Sequence, residues 1–389
     1  MYPRRCLLRN LFKILKILRR DVTVSTINFG KTQIDVEPTS KLPREIEKYF
    51  SDRGILNVVQ NISKNYGKRK SGSDRVTIVD PNIARQIAFT ICSRLSSKYA
   101  IESDPGLGLI SEILIMAVPQ LILCETDEEC RLKLEKFKEK YTDKVKIVNM
   151  NFYSLMKHLS DTGNIFEDIP TKPWNDEICL SYIVNVPCKQ LFRNICKNLV
   201  LNETWKCFGR PEYYFLTSDI NYYKLIANSE NLYQTYYRST AVMFQLIFDY
   251  EILLSDLPRE VFLPWPSRNY QRKKPGKFVL LRAVPKVNPF AEFENKNIVR
   301  SFLNFINDNI RKEKRIIPVL ESYVPLCGPY FILNFDLSIY TEFIEISPEK
   351  LLNIFSVFSK LPEFSKTDLY MMTKEEMAEN ESESEDENN

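Results

Sequence analysis

Tyr99-Ala-Ile-Glu-Ser-Asp-Pro-Gly-Leu-Gly-Leu-Ile-Ser111 is the stretch from which the fold is read. Its opening residues form a short apolar run ending in an acid, Glu102, and predict a buried strand. Asp104, Pro105, Gly106 and Gly108 make a tight turn, and the apolar run from Leu109 to Ala117 predicts a helix. Glycines between a strand and a helix let the backbone come close to a ligand at the helix start. Plain strand-to-helix turns have the same spacing, so the turn alone assigns nothing.

The elements that follow repeat the pattern. Gln120-Leu-Ile-Leu-Cys-Glu-Thr126 reads as a second apolar strand ending at Glu125, and a charged helix spans Glu128 to Lys140. Val145-Lys-Ile-Val-Asn-Met-Asn151 reads as a third strand with a polar end. Ile178-Cys-Leu-Ser-Tyr-Ile-Val184 reads as a fourth, running into Asn185-Val186-Pro187-Cys188. Strands alternating with helices predict a parallel α/β sheet, whose carboxyl edge is where ligands bind. A carboxylate ending the second strand, here Glu125, can take both hydroxyls of an adenosine ribose.

Glu102-x-Asp104-Pro-Gly106-x-Gly108, then Glu125, Asn151 and Asn185-Val-Pro-Cys188, resembles the rRNA adenine dimethyltransferase family in motif order. Ile78-Val79-Asp80-Pro81-Asn82-Ile83-Ala84 is similar to that family's entry helix, and Phe262-Leu-Pro-Trp-Pro266 to its F-x-P-x-P turn. Trp174, Trp205-Lys-Cys-Phe-Gly-Arg210 and the long region beyond Pro289 resemble one branch, the second paralogue of the mitochondrial transcription factor B group. The resemblance covers roughly residues 75–370. It implies an α/β fold: a Rossmann-like S-adenosylmethionine-dependent methyltransferase sheet with a small C-terminal helical domain. It also implies S-adenosylmethionine held by Ile78, Glu102, Asp104, Gly106, Gly108, Glu125 and Asn151, with Asn185 as the catalytic acceptor for an adenine amine.

Three positions depart from the family. Asp104 stands where it has Gly, Asn151 where it has Asp, and Cys188 where it has an aromatic. That aromatic stacks on the flipped-out adenine, an interaction of roughly 1–3 kcal/mol per base. Its loss erodes the substrate half of the pocket. The resemblance therefore implies first a mitochondrial initiation factor that works with mitochondrial RNA polymerase on promoter DNA, as single strand or bubble. The alternative is an active methyltransferase on small-subunit rRNA.

The first twenty residues carry seven cations, with no acid before Asp21 and leucines at helical spacing. That composition predicts a mitochondrial presequence and a matrix (nucleoid) location; a basic surface helix is the other reading. The 389 residues are 44% apolar, enough for a large core and a smaller domain, and no apolar run reaches membrane-spanning length. Nine cysteines without a CxxC, and a single histidine, His158, argue against zinc and against His-based catalysis. The net charge is +4, although residues 375–389 hold eight acids and no base. Setting aside that tail and the first twenty residues leaves a body of about +5, which suits a polyanion partner.

The expected organisation is a presequence over 1–20, a basic linker over 21–74, a methyltransferase-like α/β domain over 75–288, a helical domain over 289–370 and a disordered acidic tail over 371–389. Within the α/β domain, Arg268, Tyr270, Arg272, Lys273, Lys274 and Lys277 interleave cations with a ring. They form the strongest nucleic-acid candidate, with a solvated hairpin loop as the alternative. Leu225 to Leu254 reads as a helix and then a strand, rich in core aromatics.

Overall fold

The computed structural model describes residues 44–52, 54, 56, 76–157, 166–185, 189–201, 208–231, 233–263, 276–311 and 313–373. The expected presequence, most of the linker, Cys188, the loop carrying Arg268 to Lys274 and the acidic tail lie outside them. Backbone contacts divide the chain into two units. The first takes in residues 1–187, 207–219 and 250–284; the second takes in 188–206, 220–249 and 285–389.

The first unit opens with α1 (Arg44–Ser51), the short β1 (Thr77–Ile78) and α2 (Pro81–Arg94). Asp80 caps α2 by accepting from Asn82 N at 2.8 Å and Ile83 N at 3.3 Å, and Pro81 fits the first turn, where its missing N–H is no loss. Ala84, Ile87, Ala88 and Ile91 give α2 a buried face at helical spacing. The alternation then runs β2 (Tyr99–Ser103), α3 (Ser111–Ala117), β3 (Gln120–Cys124), α4 (Glu128–Lys140), β4 (Val145–Val148), α5 (Phe152–Lys157) and β5 (Leu180–Asn185). Further along lie β6 (Glu212–Ser218), β7 (Phe248–Leu257), β8 (Phe262–Leu263) and β9 (Phe278–Pro285), while the intervening helices α6 (Lys189–Leu201), α7 (Asp219–Ile226) and α8 (Ser239–Ile247) fall in the second unit.

The main sheet has the order β4-β3-β2-β5-β6-β9-β7, and β1 pairs separately with β8. Strands β2 to β6 run parallel, while β9 is antiparallel to β6. The order reverses between β2 and β5, and this switch point is where open α/β sheets bind ligands. Ile87, Ile91, Leu114, Leu121, Leu123 and Ile183 form part of one continuous core with less than a tenth of each side chain exposed. Fully burying such a side chain contributes roughly 1.5–3 kcal/mol.

Several elements differ from expectation. Strand β3 stops at Cys124 and β4 at Val148, so Glu125 and Asn151 sit in the turns beyond them. Helix α3 begins at Ser111 rather than Leu109, because Gly108 takes a positive φ of 74° and holds the chain in the turn. The long helix expected from Leu225 is instead broken. An asparagine turn intervenes, in which Asn228 and Asn231 exchange side-chain and backbone hydrogen bonds, and α8 starts only at Ser239.

In the second unit, α9 (Lys296–Asn309), α10 (Ile316–Tyr323), α11 (Gly328–Phe335) and α12 (Pro348–Phe358) follow one another. Phe302, Phe305, Phe355, Phe358 and Phe364 pack there with ring centroids 5.1–6.4 Å apart, the range of favourable edge and offset contacts. Lys314 folds back on α9, donating to Asp308 O at 3.1 Å and Asn309 Oδ1 at 2.5 Å, so this cation closes a helix end. No helix among the described residues is long and apolar enough to cross a membrane.

Candidate active site

Parallel pairing brings the ends of β2, β3 and β5 together. Ser103 stands opposite Cys124 on one side and Val184 on the other. Glu102, the penultimate residue of β2, is fully buried. Its Oε2 accepts from Ser111 Oγ at 2.6 Å, and its Oε1 is buried with no hydrogen-bond partner. Its pKa is pushed up to about 7 from the usual 4.5, chiefly by burial; the Ser111 hydrogen bond opposes the rise and the Glu125 charge adds to it.

Glu125 is 2% exposed. Its Oε2 accepts from Gly106 N at 3.1 Å and its Oε1 from Asp127 N at 2.8 Å, so backbone amides hold the carboxylate against the glycine turn. Each oxygen keeps a second lone pair for a hydroxyl. Asp104 has φ 47°, in the left-handed region that favours glycine, and its N–H donates to Cys124 O at 2.9 Å. Asp is one of the few other residues that tolerate this conformation. The Cys124 thiol lies among these groups; burial raises its pKa most, followed by the charges of Asp104, Glu125 and Glu102. It is a protonated, inert thiol.

Gly106 has φ +58°, and a Cβ there would lie 2.7 Å from Thr77 Cγ2. The glycine turn is thus pressed onto β1. Ile78, the next residue, is 7% exposed and pairs with Phe262.

Asn185 ends β5 and is 7% exposed. Its Nδ2 donates to Ser103 O and Asp104 O, both at 3.0 Å, and its backbone N–H donates to Ser103 Oγ at 3.2 Å. Two carbonyls require the amide nitrogen on that side, so the orientation of the amide is determined. Oδ1, on the other side, is buried with no hydrogen-bond partner.

Six of the sequence-derived positions therefore meet at one edge: Glu102, Asp104, Gly106, Gly108, Glu125 and Asn185. Asn151 lies on the same edge three residues beyond β4, and its Oδ1 caps α5 by accepting from Ser154 N at 2.7 Å. Lys277 is brought to the end of β6 by the pairing of Ser218 with Phe278, and its ammonium is ion-paired with Asp256. Arg268, Tyr270, Arg272, Lys273 and Lys274 lie outside the described residues.

The sequence reading missed Ser103 and Ser111, which hold Asn185 and Glu102, and Thr77, which packs under Gly106. Only the position of Ser111 just after the glycine turn offered a signal. Among the described residues no cluster of His, Cys, Asp and Glu could hold a metal ion.

The residues fit S-adenosylmethionine in the nature of their acceptors: a hydroxyl-accepting carboxylate at Glu125 and a buried oxygen without a partner at Glu102. The fold is the α/β Rossmann-like fold of S-adenosylmethionine methyltransferases, with additional C-terminal helices. The chain is distantly related to the rRNA adenine dimethyltransferases. It is 24% identical over 323 residues to the Drosophila melanogaster protein "Dimethyladenosine transferase 2, mitochondrial", covering 69% of this chain and 71% of that protein. The Homo sapiens protein of the same name is 20% identical over 308 residues, covering 71% and 75%. Among solved structures, a dimethyladenosine transferase from Plasmodium falciparum superposes with a TM-score of 0.50 at 13% identity, over 73% of this chain and 97% of that one. No protein-family model matches the chain.

Proposed function

We propose that this chain is an adenine N6-methyltransferase that uses S-adenosylmethionine and acts on small-subunit rRNA of the mitochondrion. The observation that carries the reading is Asn185 Oδ1, a buried acceptor without a partner whose amide is oriented by two backbone carbonyls. An exocyclic amine is a donor of the kind it lacks. By accepting one N6–H, Asn185 would hold the amine with its lone pair toward the methyl donor, and alignment is the main demand of this transfer. Glu125 would take the ribose hydroxyls, Asp104 and the Gly106 turn would line the cofactor, and Glu102 would face its positive end through the unpartnered Oε1. When bound, S-adenosylmethionine supplies an electrophilic methyl group on a positively charged sulfur.

In support, both curated relatives are named dimethyladenosine transferases. Residues 1–20 would serve as the targeting segment, residues 75–288 as the catalytic domain and residues 289–370 as its helical partner. The test is transfer of labelled methyl to rRNA by the purified chain, beside calorimetry of cofactor binding. Asn185→Ala is expected to abolish transfer and leave cofactor affinity within about threefold, since the change removes a substrate contact. A wild-type chain that binds cofactor but transfers nothing refutes the reading.

A second reading is favoured by Cys188, which stands where the family has the base-stacking aromatic. Without that ring the cleft would hold unstacked bases rather than modify them. It would serve a transcription initiation factor that helps mitochondrial RNA polymerase open promoters. Run-off transcription with and without the chain tests this; equal affinity for duplex and bubble DNA at fixed salt counts against it.

A further inference from the structure

The second unit contains a cavity of about 200 Å³ that the methyltransferase reading does not use. Its walls come from three places. Asn221, Lys224 and Leu225 project from one face of α7, at i, i+3 and i+4 spacing. Thr235, Tyr236 and Arg238 come from the turn that leads into α8, Thr240 from the first turn of α8, and Phe192 of α6 completes the lining.

Three features suit this cavity to an anion. Lys224 and Arg238 both line it, neither forms an ion pair among the described residues, and no lining residue is acidic. Arg238 is also the N-cap of α8, where no side chain caps the helix and the first turn holds no acid. The positive end of the helix dipole is thus left for a ligand. Thr240, in that first turn, is 4% exposed, and its hydroxyl is buried without a hydrogen-bond partner. A buried donor left unmade is destabilising unless something supplies the acceptor.

The walls are held firmly. Tyr223 stacks on Tyr233 with centroids 4.2 Å apart, and Gln245 of α8 ties down α7 by donating to Leu225 O at 3.1 Å and Ala227 O at 2.8 Å. The cavity is smaller than the roughly 300–1,000 Å³ of sites that engulf whole small molecules, so it suits one group of a larger ligand. Tyr236, 40% exposed, offers a ring at the rim.

We propose that this cavity binds one backbone phosphate of a single-stranded nucleic acid, with a neighbouring base stacked on Tyr236. The proposal rests on the reading of the chain as a protein that acts on nucleic acid. Lys224 and Arg238 supply charge, the α8 terminus and the Thr240 hydroxyl supply directed donors, and Tyr236 supplies a stacking face that tolerates any base.

The test is fluorescence anisotropy of a labelled single-stranded oligonucleotide, run across a salt series with the full chain. Lys224→Gln with Arg238→Gln should weaken binding about five- to twentyfold and flatten the salt dependence, because each lost phosphate contact removes roughly 0.7 from the slope for single strands. Tyr236→Ala should weaken binding about fivefold or more with the slope unchanged, because stacking releases no counterions. Thr240→Val removes a hydroxyl without a partner and leaves a methyl, so the fold tolerates it; it should weaken binding about threefold. Parental affinity and slope in all these variants overturn the proposal. So does competition of inorganic phosphate for the cavity with no effect on the oligonucleotide. If rRNA methylation proceeds while the variants bind as the parent does, the cavity assignment falls alone. If methylation fails in the parent but the variants lose the strand, the methyltransferase reading falls and the cavity assignment holds.

Discussion

Glu102→Gln is the perturbation whose outcome follows most directly from the structure. The folded protein holds the Glu102 proton up to about 7, whereas the unfolded chain releases it near 4.5. A raised carboxylate contributes stability that is complete below the unfolded pKa and is lost as the pH rises through the folded one. For this shift, the loss between pH ~5 and pH ~8 is about 2–3 kcal/mol. The glutamine side chain of the variant does not titrate. It can accept the Ser111 hydroxyl as Glu102 does, but its amide nitrogen then occupies the place of Oε1, where no partner stands. The parent leaves Oε1 without a partner at the same place, so the exchange adds only a pH-independent offset. Relative to the parent, the variant should therefore gain about 2–3 kcal/mol between pH ~5 and pH ~8. Urea unfolding followed by circular dichroism at several pH values, with the m-value as a check on the unfolding reaction, measures the difference. Parallel stability–pH curves for the two proteins would refute the reasoning, because then Glu102 does not titrate in the window its burial assigns.

The same carboxylate predicts a pH effect on binding: S-adenosylmethionine carries positive charge, so its affinity should rise between pH ~6 and ~8 in the parent and stay flat in Glu102→Gln, as read by calorimetry. Gly106→Ala should destabilise by roughly 1–3 kcal/mol, from the positive φ and the 2.7 Å approach to Thr77; adding Thr77→Ala should recover the steric part in a urea melt. Glu212 is fully buried and accepts from Ser96 N, from Ser181 Oγ and, at 2.9 Å, from Arg282. Glu212→Leu, which leaves the Arg282 guanidinium only its 3.3 Å pairing with the partly exposed Glu251, should lower stability by roughly 3 kcal/mol by chemical denaturation.

The sheet was legible because its strands are short apolar runs with polar ends. Leu121 to Cys124 and Leu180 to Asn185 are buried throughout, as parallel strands covered on both faces must be. Helix α2 was legible from Asp80, Pro81 and the isoleucine stripe, and α4 from an apolar and charged period flanked by Asp127. The gap between α7 and α8 was not, because Leu225 to Phe248 is dense in aromatics and reads as continuous core. The break lies in hydrogen bonds between Asn228 and Asn231, which spacing does not reveal. At the site, the candidate binding residues were visible and the residues that hold them were not. Ser103 reaches Asn185 only because β2 and β5 are neighbours across an 82-residue separation.

That division bears on which activity the edge retains. Oε1 of Glu102 and Oδ1 of Asn185 are acceptors on adjacent strands, both buried and both without partners. Left unmade, each costs on the order of 1–3 kcal/mol, and an apolar side chain of similar shape would remove that cost. Two such acceptors beside a glycine turn are what a site needs when its ligand brings the donors. The departures at Asp104, Asn151 and Cys188 leave these two acceptors in place. On the proposed reading the carboxyl edge would hold a cationic cofactor and an amine together through them, with the departures falling on the cofactor turn at Asp104, on Asn151 and on the base stacking at Cys188.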